Sequence, residues 1–527
     1  MKTIYKFSLP VLSALMVLSG CNVSDSGVSE SSAVHADINY ENLVGIELSD
    51  EQILVNGNPI SSDPATAVYA ANDIVFYPEG QDFTYGEGTK DDEHSQAEAD
   101  DHTVVHITEP GTYTLSGSLS AGQIAVDLGE DAEDDPESVV NLILNNADIT
   151  CSVAPAVIFY NVYECGDSEV ENASKDVDTS KAGANVILAD NSTNNINGAY
   201  VARIYESYEL NEEGTEVIDS EKLHKYDGAF YSKMSMNIFG EDEGTGILNI
   251  NAANEGLDSE LHLTVYGGNI NITSGNDGIN TNEDEVSVTT LNGGSVNIFV
   301  TGATGEGDGI DSNGWLVING GTLTSQACSI SGDAGIDSDM GIHINGGTVS
   351  ATGNMLDRIS ESAQTYAIFQ FIQPQKGGGN YVLKNANGDA IADYSPENDF
   401  SYLIISSEQL AEGTYTLWKD NSQLSVIGGN MHGDMGGPGG QKPGGMQIPE
   451  AHEIPEGQMP QGEPPEKPEG EMPQGYLPQG ERPEMPEGQT PQNERPEIPK
   501  DGSVMDFVTS ASQELEIKQG YNFFIVK

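Results

Sequence analysis

A short acidic turn recurs through the middle of the chain. Its clearest copies are Glu255-Gly256-Leu257-Asp258, Asp277-Gly278-Ile279-Asn280, Asp308-Gly309-Ile310-Asp311 and Ala334-Gly335-Ile336-Asp337. A pair of glycines begins at positions 267, 293, 320 and 346, and these positions are 26, 27 and 26 residues apart. Short runs of β-branched and aliphatic residues separate the turns. A strand-rich, glycine-punctuated period of this length predicts a solenoid of stacked repeats.

The kind of solenoid follows from what the repeats lack. They have no leucine framework, which excludes leucine-rich repeats, and they are too short for the four-stranded blades of a propeller. A β-helix fits best, with Ile, Leu and Val facing inward and Asn, Thr and Ser facing outward. The glycines are expected to supply corners with positive φ. We therefore predict an all-β fold with the β-helix at residues 61–355.

The sequence changes character after the repeats. Runs such as Phe369–Ile372 and Leu403–Ile405 predict a small antiparallel β cap over 356–427, because an open last coil would expose its core and a strand edge. Residues 428–502 are dominated by Pro, Gly, Glu, Gln and Met, which predicts a disordered spacer. Strand-like sequence returns at 503–527, and we expect it to fold back onto the cap.

The N-terminus has the pattern of a targeting segment. Lys2 and Lys6 precede a short apolar run, and Leu18-Ser19-Gly20-Cys21 resembles the bacterial lipobox, whose cysteine is lipidated. We expect a signal peptide at 1–20, lipidation of Cys21 and a tether at 21–60. The protein would then lie on the extracellular face of the bacterial cell membrane, held there by the lipid alone.

The charge of the chain restricts its partners. It carries 84 acidic against 20 basic residues, a net charge of -64, which repels nucleic acids and anionic membranes. In a β-helix equivalent positions of successive coils stack. One predicted row contains Asp258, Asn280, Asp311 and Asp337, and a second contains Glu255, Asp277 and Asp308. Neighbouring carboxylates about 5 Å apart repel each other by roughly 3 kcal/mol at an effective dielectric constant near 20.

Bound calcium would relieve this repulsion. Lys225, Lys233 and Arg358 are the only Lys and Arg residues between 224 and 360, whereas Ca²⁺ accepts six to eight oxygen ligands from Asp, Asn and carbonyl groups. The predicted metal ligands are Glu255, Asp258, Asp277, Asn280, Asp308, Asp311, Asp333, Asp337 and Asp339. The alternative is ordinary turn chemistry, in which an Asp or Asn side chain caps its own backbone.

The cysteines do not point to a metal. No Cys-x-x-Cys occurs, and the nine His residues have no zinc-type spacing, so zinc is not expected. Cys151 and Cys165 could form a disulfide across a short loop, or they could be separate thiols. Cys328 is expected to pack in the core.

The repeats resemble those of a known family. The segments Glu255–Ser259, Asn276–Asn282, Gly307–Asn313 and Asp333–Asp339, with Lys225–Lys233 before them, are similar to the repeats of the bacterial "carbohydrate-binding domain-containing" lipoproteins. The resemblance covers roughly 60–425. It implies a right-handed parallel β-helix that binds calcium and an acidic plant polysaccharide such as polygalacturonate, with cellulose as a further ligand. The family is related to β-helix pectate lyases and is regarded as binding without cleaving.

Three functions remain open at this point. The first is a monomeric, surface-anchored, non-catalytic protein that binds acidic polysaccharide through calcium. The second is a polysaccharide lyase, which would need a base beside the calcium, and Lys225 and Lys233 are the candidates. The third is a structural or adhesin role in the cell envelope. Trp315 follows the turn at Asp311–Gly314, so it either flanks a binding face or packs within a strand.

Overall fold

The computed structural model describes residues 42–429, with the exception of 361, and residues 511–527. The predicted signal peptide, the predicted lipidation site Cys21 and nearly all of the predicted spacer lie outside the described residues. Within them the chain is all-β, as predicted, with 36 β-strands. The described part contains no helix that is long and apolar enough to cross a membrane.

Helices are few and short. The α-helix α1 spans Gln96–Asp100 and begins with a capping box, in which Ser95 and Glu98 satisfy each other's backbone N–H groups. Two 3-10 turns lie at Glu130–Ala132 and Val170–Asn172. Sheet formation dominates because the repeats consist of β-branched and aliphatic residues between turn signals.

The strands fall into five groups along the chain. The N-terminal strands are β1 (Val44–Leu48), β2 (Leu54–Val55), β3 (Asn58–Pro59) and β4 (Val68–Ala71). The first stacked strands are β5 (Thr103–Ile107), β6 (Gly111–Leu119), β7 (Gly122–Val126), β8 (Val140–Cys151), β9 (Val157–Phe159), β10 (Ala184–Leu188) and β11 (Thr193–Gly198). A long antiparallel hairpin follows, formed by β12 (Val201–Leu210) and β13 (Val217–Tyr226).

The acidic repeats and the C-terminal strands complete the order. The repeats contain β14 (Gly228–Ser232), β15 (Met236–Gly240), β16 (Ile247–Ala252), β17 (Glu255–Ser259), β18 (His262–Val265), β19 (Asn269–Ser274), β20 (Ile279–Thr281), β21 (Val288–Leu291), β22 (Ser295–Val300), β23 (Ile310–Ser312), β24 (Trp315–Ile318), β25 (Thr322–Gln326), β26 (Gly341–Ile344) and β27 (Thr348–Gly353). The C-terminal strands are β28 (Tyr366–Gln375), β29 (Tyr381–Asn385), β30 (Ala390–Tyr394), β31 (Phe400–Ser407), β32 (Gly413–Lys419), β33 (Ser422–Gln423), β34 (Val426–Gly429), β35 (Leu515–Ile517) and β36 (Tyr521–Val526).

Equivalent strands of successive repeats pair in parallel and form three ladders. The first ladder contains β5, β7, β9, β14, β17, β20 and β23. The second contains β8, β10, β15, β18, β21, β24 and β26. The third contains β8, β11, β16, β19, β22, β25 and β27. From β14 to β25 each repeat gives one strand to each ladder in turn, and the last repeat gives β26 and β27 to the second and third ladders.

Alternation along the strands separates core from surface, as the period-two pattern predicts. In β16, Leu248 and Ile250 are buried, whereas Asn249 between them reaches the surface. The amide of Asn249 donates to Asn195 at 3.0 Å, and the amide of Asn271 donates to Asn249 at 2.9 Å. Stacked amides of this kind join neighbouring repeats on the outer face of the third ladder.

The repeat glycines have two different roles. The second glycine of each glycine pair has a positive φ, for example 91° at Gly268 and 75° at Gly294, as expected for a corner. The expectation of a positive φ is wrong for the glycines of the acidic turns, such as Gly278 and Gly309. There the ladders approach too closely for a side chain. A Cβ on Gly278 would lie 2.2 Å from Cγ2 of Ile298.

The repeats end against antiparallel strands. β27 pairs with β31, and β31 pairs in turn with β28. The C-terminal strand β36 joins the other edge of β28 in parallel, and β35 pairs with β32 in a separate small sheet with β29, β30 and β33. A second hydrophobic cluster, which includes Phe369, Phe400 and Phe524, lies between these strands. The residues after the spacer therefore contribute to the same C-terminal unit as β28–β34.

The cysteines are separate thiols. Cys151, Cys165 and Cys328 are all free, so the disulfide alternative does not hold. Cys151 at the end of β8 and Cys328 after β25 are buried, as expected for core positions. Cys165 lies in a loop and is only partly buried.

Candidate metal centre

The first ladder brings the acidic turns into register. Asp258 of β17 pairs with Asn280 of β20, which pairs with Asp311 of β23. In the neighbouring row, the backbone N–H of Gly256 donates to the carbonyl of Asp277 at 3.0 Å. The acidic turns, whose glycines are 22, 31 and 26 residues apart in the sequence, are therefore stacked vertically, with polar side chains from successive repeats beside one another.

Three carboxylates converge at the N-terminal end of these rows. Asp227, directly before β14, joins Glu255 and Asp258 of β17, and one oxygen of each lies within 4.8 Å of the others. All three side chains are buried. Gly228 makes room for this acid triad, since a Cβ at that position would come within 2.5 Å of Cβ of Asp258. The close approach of buried acids requires compensation by positive charge or by protons.

Hydrogen bonds satisfy only part of this centre. The amide of Asn280 donates to Oε1 of Glu255 at 3.2 Å, and the amide of Asn282 donates to Oδ1 of Asp258 at 2.6 Å. The remaining oxygens, Oε2 of Glu255, Oδ2 of Asp258 and Oδ1 of Asn280, are buried without a hydrogen-bond donor. A buried acceptor without a partner costs about 1–3 kcal/mol. Carboxylate and amide oxygens in one space fit a hard cation such as Ca²⁺.

The electrostatics of the triad also favour a bound cation. Burial, with repulsion from neighbouring acids, raises the pKa values of Glu255 and Asp258 well above the ordinary range. Burial also raises the pKa of Asp227, although the ammonium of Lys225 opposes that shift. Nζ of Lys225 lies 2.5 Å from Oδ2 of Asp227. Burial alone would lower the pKa of Lys225, but the triad carboxylates raise it above its usual value. Without a metal ion the centre therefore favours protonated acids.

Other predicted ligands bind backbone N–H groups instead of facing the triad. Oδ1 of Asp277 accepts from the N–H of Asp308 at 2.6 Å, and Oδ1 of Asp308 accepts from the N–H of Ala334 at 2.5 Å. Oδ2 of Asp333 accepts from the N–H of Gly307 at 2.7 Å. These side chains accept hydrogen bonds from the backbone of the next or preceding repeat. In the predicted turn alternative, each side chain would instead cap its own backbone. Burial and neighbouring carboxylates raise the pKa of Asp277 to about 8 and that of Asp308 to about 10.

The remaining predicted ligands lie at the C-terminal end of the rows. Burial, followed by the charge of Asp339, raises the pKa of Asp311 to about 6. Burial, followed by the charge of Asp357, raises the pKa of Asp337 to about 7. Asp357 was not among the predicted ligands, and its buried Oδ2 has no donor. Asp339 is exposed, so this end of the rows is more open than the triad.

Sequence reasoning missed Asp227 as a member of the centre. The signal was present, because Asp227-Gly228 begins the same series as the later acidic turns. Among the candidate aromatic residues, Trp315 is half-buried at the start of β24. Trp418 lies in the C-terminal sheet, where Nζ of Lys384 is 4.6 Å from the centre of its ring.

Comparisons with known proteins agree with the family resemblance. A family described as carbohydrate-binding domain-containing protein matches residues 101–368, slightly more than half of the chain. Among solved structures, a polysaccharide lyase-like protein from C. thermocellum is similar at 18% sequence identity and a TM-score of 0.32, over 61% of this chain and 92% of that chain. No curated protein matches at a significant level. On the match to its repeats, the chain is a member of the carbohydrate-binding domain-containing protein family.

Proposed function

We propose that the stacked repeats form a right-handed parallel β-helix and that the protein binds acidic polysaccharide through calcium. The three parallel ladders, each joined in register over successive repeats, support the β-helix. The arrangement brings every acidic turn to one ladder. A partner that recognises the protein through these turns would therefore contact several repeats along one face.

The buried, donorless oxygens of the acid triad carry the metal part of the proposal. Asp227, Glu255, Asp258 and Asn280 would hold the ion, with Lys225 beside them. When bound, calcium supplies positive charge and can also coordinate carboxylate oxygens of a ligand. The protein residues have three roles in this site. They fix the oxygens in register, exclude water from the triad and hold the acids close enough to need a cation.

The ligand class comes from the family resemblance, and the charge of the chain is compatible with it only if a cation is bound. A chain with a net charge of -64 repels a polyanion, and only a bound cation reverses that repulsion locally. A polyuronate of the pectin or polygalacturonate type has carboxylates that could reach a calcium ion at the edge of the triad, beside the partly exposed Lys225. Membership of a carbohydrate-binding family supports a polysaccharide partner in general. The choice of an acidic polymer is what the resemblance of the repeats implies, and the acidic turns are compatible with it through a bound cation.

We propose binding without cleavage. A lyase needs a neutral base beside the metal to remove a proton from the sugar ring. Lys225 is the basic residue nearest the triad, and the carboxylates around it favour its protonated form. Lys233 lies farther along the chain and faces Glu133 at 3.9 Å. The predicted lipid at Cys21 would hold this binding protein at the cell surface.

Affinity electrophoresis in gels with polygalacturonate tests the proposal. The wild-type protein should be retarded with calcium and should migrate freely with chelator. Asp258→Asn should migrate freely in both, whereas Asp242→Asn, the same charge change at an exposed turn, should behave as wild type. Retardation that persists in chelator would contradict the proposal. Ultraviolet absorbance of the same mixtures should stay flat, and a calcium-dependent rise that is lost in Lys225→Met would establish a lyase instead.

A further inference from the structure

Lys225 is built into the edge of the metal centre. It is the second-last residue of β13, and Asp227 follows that strand directly, so the backbone fixes the two side chains near each other. Their charged groups are 2.5 Å apart, with the lysine partly exposed and the aspartate nearly buried. Among the ion pairs of the described residues, this is the pair that involves a triad carboxylate.

The ion pair distinguishes Asp227 from the other two carboxylates of the triad. The buried oxygens without a donor belong to Glu255, Asp258 and Asn280, whereas Oδ2 of Asp227 faces Nζ of Lys225. Lys225 therefore engages Asp227, while the open oxygens come from two carboxylates and one amide. The three carboxylates carry a charge of -3 when ionised, and Lys225 reduces the charge of the whole centre to -2.

We infer that Lys225 sets the charge of the cation site so that it matches a single divalent ion. This inference rests on the proposed metal centre and adds a specificity-determining residue to it. Lys222, the other lysine near the end of β13, does not share this role. Its Nζ binds both oxygens of Glu260, at 3.0 and 2.9 Å, outside the triad.

Removing Lys225 should favour ions of higher charge. The Coulomb energy between an ion and its site is proportional to the product of their charges. One additional negative charge at the site therefore stabilises a trivalent ion one and a half times as strongly as a divalent ion. At distances of several ångströms and an effective dielectric constant near 20, this difference should change the ratio of the two affinities by on the order of a hundredfold.

Calorimetric titration with Ca²⁺ and Tb³⁺ tests the inference. In Lys225→Met, the ratio of Tb³⁺ affinity to Ca²⁺ affinity should rise on the order of a hundredfold over wild type. Two controls separate this effect from general loss of positive charge. Lys233→Met removes the same charge beside Glu133 and should keep the wild-type ratio. The double variant Lys225→Met with Asp227→Asn restores a charge of -2 and should return the ratio toward wild type.

Each result of these titrations either supports or contradicts the role of Lys225. An unchanged ratio in Lys225→Met, or an equal shift in the double variant, would overturn the inference and leave the metal centre in place. If the wild-type protein binds neither ion, the metal centre itself is wrong and the inference falls with it. Should Lys225→Met fail to fold, Lys225→Arg and the double variant carry the test. Both should keep the wild-type ratio, and a shift in Lys225→Arg would contradict a role based on charge.

Discussion

Asn280 donates its side-chain amide to Oε1 of Glu255 over 3.2 Å and so links two successive repeats at the metal centre. The same two side chains leave Oδ1 of Asn280 and Oε2 of Glu255 buried without donors. One contact thus orients both groups and leaves an acceptor free on each. A cation between repeats would satisfy these acceptors and would couple metal binding to the stacking of β17 and β20.

The first prediction concerns Asn280→Ala. This change removes one oxygen ligand and the hydrogen bond that orients Glu255, so calcium affinity should fall about tenfold, equivalent to about 1.4 kcal/mol. Isothermal titration calorimetry measures the effect. Asn271→Ala, which removes an amide from the outer face of the third ladder, should leave calcium affinity unchanged. Equal losses in the two variants would mean that Asn280 acts only through general stability.

The second prediction concerns Glu255→Gln. In chelator at pH 8 the variant should be more stable than wild type by about 1–3 kcal/mol, because a buried carboxylate beside Asp227 and Asp258 is removed. Calcium should then stabilise the variant much less than wild type. Urea denaturation with and without calcium measures both effects. A variant that is less stable than wild type in chelator would show that Glu255 supports the fold without a metal ion.

The third prediction concerns the glycine of the acidic turn. A Cβ on Gly278 would lie 2.2 Å from Cγ2 of Ile298 and 2.6 Å from the carbonyl of Gly309, so Gly278→Ala should cost about 2 kcal/mol or more. Gly332→Ala is the matched control, because no atom lies within 4 Å of its added Cβ. Urea denaturation of both variants compares their free energies of unfolding. Similar stability of the two would contradict the close approach of the ladders.

The fourth prediction is a pH dependence that calcium should suppress. The folded-state pKa values of Asp337, Asp277 and Asp308 are raised to about 7, about 8 and about 10. The folded protein then binds more protons than the unfolded chain above pH 4, so stability is greatest at low pH and falls as pH rises toward these values. Each such group contributes a slope of up to about 1.4 kcal/mol per pH unit.

Urea denaturation between pH 5 and 9 checks this slope. In chelator the free energy of unfolding should decrease with pH, and in calcium the decrease should be smaller because a cation favours the ionised acids. Asp308→Asn should flatten the slope in chelator, since its side chain stays neutral and can still accept from the N–H of Ala334. A free energy of unfolding that rises with pH in chelator would contradict the raised pKa values.

The stacking of the acidic turns could be predicted from the sequence. Each copy of the acidic turn marks the same position of its repeat, so equivalent residues lie above one another even though the copies are 22, 31 and 26 residues apart, and the side-chain period of two then gives each residue its face. Asp258, Asn280 and Asp311 lie in register for this reason. The composition also predicts the all-β class, because almost every run between turns favours a strand.

The chemistry within a row could not be predicted in the same way. Glu255 belongs to the triad, whereas Asp277, the next residue of the same row, accepts the N–H of Asp308, and the choice depends on local backbone direction, which spacing does not encode. Asp227 was missed because the hairpin β12–β13 interrupts the repeats directly before it. The glycines of the acidic turns were assigned to turn geometry. A glycine is required at these positions because a side chain would collide with the third ladder, which is not adjacent in the sequence.

Calorimetric titration of calcium into the wild-type protein and Asp258→Asn tests the central claim most directly. Asp258 is fully buried in the triad, and its Oδ2 has no donor. The wild-type protein should show saturable calcium binding, and the tightest binding event should weaken on the order of tenfold or more when this carboxylate is neutralised. Calcium binding of unchanged affinity in Asp258→Asn, or none in the wild type, would contradict a metal centre at the triad.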